Sequence, residues 1–540
     1  MRRRALLAVS LLALTAGCGG SPAPAAGAGE PRAGGDLIWA VETEPLTFNP
    51  HQYSQAKARL LVWNSFEALF THDDKGDYVP WLATGYEAAP DGLSYTITLR
   101  TGVTFHDGEP FDANAVKANV DQLLVDGYAP AVKAVQLRNL KNVEVVDPGT
   151  VRINLTRPDV LILDFLATPQ GAQISPKSLK NAKNLKAGGV DVVGTGPFVL
   201  ESYTAGQQVV YRKNQAYDWA PATAGHTGAA YLDTVTYRFL KESSVRVGAL
   251  TSGQVQVIEG VPATDEPLIT ANRQLRLDRS LNSGSAYAYY LNVDNAPLDD
   301  LRVRQAFREA VDVQAVLDSV YRGTATRAWS IVSPSGRFYD KAFEGTYGGD
   351  AAKANALLDQ AGWTTRDAEG FRTKDGRRLT LRLVQNAPFV RDRRDVLAQA
   401  VQAAVKQSAG IDLNVQLVDQ GTATAALNDG EYEVFDNSRA DTDAGAALNL
   451  LLHSQGAINR THLDSAELDA LLDQGQATAD PAQRLKIYQD IQRYVVQDQA
   501  VVLPLYAPQD QLAAAATVGG TGFEPTAGVP ASAYDVWLAR

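Results

Sequence analysis

Leu93, Tyr95, Ile97 and Leu99 alternate with Ser94, Thr96, Thr98 and Arg100 directly after the turn-forming run Pro90-Asp91-Gly92. A period of two puts every second side chain on one face, so this spacing predicts a strand with one side buried. Val143 and Val145, the turn Asp147-Pro148-Gly149, then Val151, Ile153 and Leu155 predict a hairpin, and Val235, Tyr237 and Phe239 another strand. Between them the period lengthens. Val116, Val120, Leu123 and Leu124 form a helical stripe that Asp112 is placed to cap. Asp480-Pro481 opens a helix with the stripe Leu485, Tyr488, Ile491 and Val495, because proline suits the first helical position. Ala354, Leu357, Leu358 and Ala361 make a third, stopped at Gly362. Strands and helices are interleaved without a fixed repeat, so the body is expected to be α/β or α+β with several sub-domains.

The first residues follow a different logic. Arg2, Arg3 and Arg4 precede an apolar run of 12 residues, 5 to 16, too short to span a bilayer and suited to a signal-peptide core. Cys18, the one cysteine of the chain, follows Ala16 and Gly17. A lone thiol beside a cleavage site cannot make an intrachain disulfide. The stretch resembles a bacterial lipobox, although Thr15 stands where leucine is usual, and the resemblance implies lipidation of Cys18. Residues 1–17 are then a signal peptide, and 18–33 the lipidated cysteine and its tether. That tether carries no bulky apolar side chain with which to offset chain ordering.

Composition narrows the partners. Hydrophobic residues make up 45% of the 540, enough for two or three cores. No later segment reaches 18 consecutive apolar residues, so the body is expected to be soluble. The net charge of −11, nearer −14 without Arg2 to Arg4, argues against a nucleic-acid partner, which needs basic patches.

Catalytic motifs are sparse. Gly194-Thr195-Gly196 lacks the third glycine of a dinucleotide loop, and neither GxxxxGK[ST] nor GxSxG occurs. Ser54-Gln55-Ala56-Lys57 fits S-x-x-K, and His226-Thr227-Gly228 loosely echoes K-T-G, which keeps an exported serine acyl-enzyme as an alternative of another class. The six histidines show no H-E-x-x-H spacing, and His453 and His462, nine apart, are the pair closest to a shared metal. No cofactor and no metal site is expected.

Longer blocks say more. "DGLSYTITLRTGVTFHDGEPFDANAVKANVDQLL" (91–124) resembles a segment of the peptide- and nickel-binding extracellular solute-binding proteins, the receptors of ABC importers. "GGDLIWAVETEPLTFNPH" (34–51), "GTGPFVLESYTAGQQVVYRKNQAYDW" (194–219), "YLNVDNAPLDDLRVRQAFREAVD" (290–312) and "LDSAELDALLDQGQATADPAQRLKIYQDIQRYVVQDQAVVLPLY" (463–506) resemble further blocks in the same order. Within them His106-Asp107-Gly108 has the character of a tight turn, and Asp300, Arg302 and Arg304 that of an ion-paired framework.

The resemblance implies an α/β, two-lobed fold of the periplasmic-binding-protein type with an extra insertion domain and a ligand cleft between the lobes. Lobe I is expected from 34–71, 195–285 and 508–540, the insertion domain from 72–194, and lobe II from 286–507. It also implies a binding protein, not an enzyme, that closes on a short peptide or peptide-like solute. A nickel chelate or another small metabolite is the alternative cargo, and a sensing receptor the alternative role. An ABC permease with its ATPase, and the membrane through the lipid anchor, are the implied partners of an expected monomer. Its expected place is outside the cytoplasm, anchored to the cell membrane by Cys18, in the periplasm if an outer membrane is present. In peptide-binding relatives an aspartate meets the ligand ammonium, and the stretch 432–452 puts Asp441 there. Asp441 could equally cap the helix starting near Ala444. Ser438 and Arg439 replace the tryptophan and small residue that precede that aspartate, and an inward Arg439 would suit an anionic group. Tyr53, Ser54 and Gln55 match a first-lobe segment whose backbone meets peptide.

Overall fold

The computed structural model describes residues 29–52, 55–181 and 185–539. Most of the signal peptide and tether, with Cys18, and also Tyr53 and Ser54, fall outside the described residues. The chain is first pinned at Gly34, whose N–H donates to Tyr231 O (2.7 Å), followed by Gly35 N to Asp233 Oδ2 (3.0 Å).

A seven-stranded mixed sheet comes next. Its strand order is Leu275–Leu281, Gln509–Ala515, Val257–Glu259, Asp36–Val41, Thr234–Phe239, Gln208–Lys213 and Phe198–Thr204. A six-stranded sheet is ordered Thr326–Arg327, Val502–Ala507, Ser285–Leu291, Val434–Arg439, Thr380–Asn386 and Asp412–Val418. A four-stranded antiparallel sheet holds Ala83–Ala88, Ser94–Leu99, Thr150–Leu155 and Leu140–Asp147. The period-two run thus forms its strand, with Tyr95, Ile97 and Leu99 buried, and the hairpin forms across Asp147 and Thr150.

Helices start where their caps direct. Asp112 accepts from Asn114 N and Ala115 N to open Ala113–Leu123. Asp480 accepts from Gln483 N to open Pro481–Arg493, which continues into a π-helical turn, Tyr494–Asp498, that the apolar stripe does not reveal. Gly108, at φ +84°, makes the tight turn after His106. Asp300 and Arg302 pair at 2.6 Å, and Arg304 donates to Leu298 O, so these residues brace the framework.

Packing divides the three sheets into two bodies. One hydrophobic cluster runs without a break from Trp39 and Tyr237 of the large sheet into Ile97 and Val151 of the four-stranded one and Val116 of the helix Ala113–Leu123. A separate cluster fills the body of the six-stranded sheet, from Tyr287 to Tyr506. The 72–194 region therefore shares its core with the first lobe, and the second lobe packs a core of its own. The molecule is a two-lobed α/β protein.

Candidate ligand-binding site

The lobes are joined by two short crossings. Leu281 ends a strand of the large sheet and Ser285 begins one of the six-stranded sheet; Ala507 and Gln509 stand likewise on either side of Pro508. Gly284 lies in the first crossing at φ +84°, and a Cβ there would stand 2.5 Å from Arg439 O and 2.6 Å from Asp441 N. Only glycine allows that approach. Beside it, Asn282 Nδ2 donates to Asp510 Oδ2 (2.8 Å), and Asp510 ion-pairs with the buried Lys57. Burial opposes the ammonium form of Lys57, but Asp510 and then Asp392 outweigh it and raise its pKa. Lys57 is therefore held protonated and cannot accept a proton from Ser54, the step a serine acyl-enzyme would need. His226 bonds Asp535 and stacks between Tyr231 and Tyr534, a structural role.

Beyond the hinge, a chamber of about 870 Å³ opens where the three parts meet. His72, Tyr78 and Leu163 wall it from the insertion region, Leu281 and Thr526 from the first lobe, and Phe338, Thr442, Asp443 and Arg484 from the second. That volume lies within the range of small-molecule and short-peptide sites.

Two of its lining residues, Asp443 and Arg484, pair with each other, and further ion pairs lie outside the lining. Arg484 grips Asp443 with both terminal nitrogens (2.7 and 3.0 Å) and lies over Phe338. Arg439 grips Asp441 in the same fork (2.6 and 3.0 Å). Arg59 pairs with Glu524 at 2.8 Å. Asp164 and His72 face each other at 3.5 Å. Burial, followed by the Arg59 charge, pushes His72 down to about 4, so its ring is neutral. Burial, then Asp443 and Asp441, hold Asp164 well above the usual carboxylate range.

Asp441 and Arg439 thus stand together as a pair at the junction. Ser283 Oγ donates to the Asp441 carbonyl (2.9 Å), tying that loop to the hinge. The helix Ala444–Leu452 is capped by Asp443, which accepts from Gly445 N; the alternative cap assignment to Asp441 is corrected, two residues being enough to place the wrong carboxylate. Ser438 Oγ accepts from Arg394 Nη2 (2.7 Å), whose guanidinium lies 4.1 Å from the Tyr287 ring. Gln55 Oε1 accepts from Leu46 N (2.7 Å) and so braces the first-lobe loop. Tyr53, Ser54 and Cys18 lie outside the described residues. Several buried polar atoms here have no hydrogen-bond partner, among them Thr442 Oγ1, Asp164 Oδ1, Asn437 Oδ1 and the Tyr289 hydroxyl.

His453 and His462 do not converge. His453 faces Asp469 and Asp473, and His462 faces Asp294. Among the described residues no group of three His, Cys, Asp or Glu side chains is placed to hold a metal ion, and no helix is long and apolar enough to cross a membrane.

Sequence reasoning missed Asp164, Asp443, Arg484 and Arg138. Arg138 reaches from the insertion region to Asp473 (2.7 Å) and to Gln476 on the second lobe, and Gln476 Nε2 donates back to Asp159 (2.6 Å). The available signal was charge inside apolar runs: Asp164 stands within Leu161-Ile162-Leu163-Asp164-Phe165.

Residues 77–459 match the family model described as bacterial extracellular solute-binding proteins, family 5 middle. The glutathione-binding protein GsiB of Salmonella paratyphi A is 30% identical over 501 residues, which cover 90% of this chain and 91% of that one. The structure of NikA from Brucella suis in complex with Fe(III)-EDTA superposes with a TM-score of 0.78 at 28% identity, over 92% of this chain and 98% of that chain. That of AgaA from A. tumefaciens R10 with agropinic acid gives 0.77 at 26%, over 94% and 99%.

Proposed function

Because the chain belongs to the bacterial extracellular solute-binding proteins of family 5, we propose that it captures a short peptide or peptide-like solute between its lobes. It closes on that solute and hands it to the permease and ATPase of an ABC importer, while a lipid on Cys18 keeps it at the outer face of the cell membrane. The observation that carries this reading is the chamber itself. It is bounded by all three parts of the molecule, and the Arg484–Asp443 pair in its wall is one that a zwitterion can replace without changing the net charge. Arg439 and Asp441 exchange their mutual pair for the carboxylate and ammonium of the ligand, and Thr442 Oγ1 gains a partner. Closure follows because a ligand touching both lobes favours the closed form by its differential affinity. The relative named for glutathione, a tripeptide, supports a cargo of this size.

A metal chelate is the second reading, kept because NikA from Brucella suis is complexed with Fe(III)-EDTA. With no three-ligand cluster among the described residues, the metal would have to arrive inside its own chelate.

Calorimetry of the mature protein against dipeptides, tripeptides, glutathione and nickel-histidine tests both. Binding of a free-amine peptide, weakened in Asp441→Asn at unchanged melting temperature, supports the peptide reading. No heat with any peptide overturns it.

A further inference from the structure

The wall that the insertion region gives to the chamber is aromatic. Tyr86 and Ala88 lie two residues apart on the strand Ala83–Ala88, and Tyr95 stands opposite Ala88 on the neighbouring strand, so the three share one face. All three line the chamber, and so does Tyr78 of the strand Tyr78–Pro80. The Tyr86 ring is held by its neighbours: Phe70 meets it edge-on at 5.5 Å and Tyr95 at 6.2 Å. Tyr78 lies 4.9 Å from the His72 ring. Tyr86 nevertheless keeps 40% of its surface exposed, and the Ala88 side chain beside it is too small to cover the rest. A ring fixed on one side and open on the other, facing a space of ligand size, is a platform on which a second ring can pack. We propose that Tyr86 and Tyr78 form a specificity-determining subsite for an aromatic side chain of the ligand, so that the preferred cargo is a peptide-like solute carrying one.

This rests on the peptide reading above and adds a ligand class to it. The ion pairs open to the ligand's charged ends, Arg439–Asp441 and Arg484–Asp443, belong to the second lobe. The two tyrosines belong to the insertion region, which shares its core with the first lobe. A ligand with its main chain on one body and its ring on the other touches both, so the ring contributes to closure as well as to affinity. The charged groups of the same wall do not claim the place. Asp74, Lys75 and Asp77 belong to the exposed turn that precedes Tyr78, and Asp77 faces Arg337 of the second lobe at 3.8 Å. His72, under Tyr78, is kept neutral by burial and offers no competing charge.

The test is a panel of tripeptides titrated into the mature protein by calorimetry: Ala-Ala-Ala beside Phe-Ala-Ala, Ala-Phe-Ala and Ala-Ala-Phe. At least one phenylalanine peptide is expected to bind about tenfold or more tightly than the alanine parent, the gain that burying a phenyl ring against an aromatic partner gives. Tyr86→Ala is expected to remove most of that advantage while leaving the affinity for Ala-Ala-Ala within about threefold. Tyr86→Phe is expected to keep it, because the ring and not the hydroxyl is the platform. Equal affinities across the wild-type panel overturn the aromatic subsite and leave the peptide reading standing. Absence of binding by all four overturns both. An advantage that survives Tyr86→Ala, or that Tyr86→Phe loses, overturns the role of the ring. The wild-type panel decides on its own, so poor folding of a variant does not shelter the proposal.

Discussion

Closure can be weakened without touching the chamber. Arg138 joins the insertion region to the second lobe, with Nη2 2.7 Å from Asp473 Oδ1 and 3.3 Å from Asn449 Oδ1, and bonded to Gln476 as well. The two bodies it joins have separate cores, so these contacts are lost when the lobes part. Arg138→Met keeps the aliphatic stem and removes the donors. The Arg138 side chain is 17% exposed and Asp473 37%, so solvent screens the pair and its worth falls below that of a buried one. A net loss of about 1.4 kcal/mol is expected, a tenfold change in the ratio of closed to open forms. A ligand that binds the closed form loses up to that factor in affinity, because it must first supply the missing closure energy. Calorimetry gives the affinity, and urea unfolding should place the stability of each core where it was. Unchanged affinity, or a loss matched by unfolding of one lobe, refutes the reasoning.

Gly284→Ala places a Cβ at φ +84° against the backbone of Arg439 and Asp441; urea unfolding should show a loss of more than about 2 kcal/mol, with affinity falling too. Lys57→Met strands the buried Asp510 and should destabilise by about 3–5 kcal/mol, while the Lys57→Met/Asp510→Asn double variant recovers part of that in a double-mutant cycle. Glu259 is pushed up to about 7 by burial, so its folded pKa exceeds its ordinary 4.5 and it removes stability as pH rises between those values. His51, His72 and His106, lowered by burial to about 4 from 6.5, act the other way and remove stability as pH falls through that window. Glu259→Gln keeps the acceptor for Glu42 N, and its stability should climb more steeply than wild type between about pH 5 and 6.5 in urea unfolding; an identical slope refutes the assignment.

Local elements were legible because local physics decides them. The alternation at 93–99 and the aspartate caps at Asp112 and Asp480 need only neighbours in sequence. The site is made of distant partners, and there the reading weakened. Lys57 carries the fourth position of an S-x-x-K pattern, but its chemistry is set by Asp510, which no spacing rule connects to it. Asp441 and Asp443 are two residues apart, and only the register of the following helix shows which one caps it. Asp164 sits in an apolar run that reads as core, and core it is. What the run does not disclose is that the core ends there at a boundary with another lobe, beside carboxylates nearly 280 positions along the chain. Gly284 was one glycine among 44 until its neighbours across the hinge were known.

The central claim is that two separately packed bodies close on a bound solute. Small-angle scattering of the mature protein, alone and saturated with the peptide that calorimetry shows to bind most tightly, tests it most directly. The radius of gyration should fall on saturation, and the peptide should be recovered chemically unchanged by mass spectrometry. A radius that stays constant while ligand binds contradicts the account.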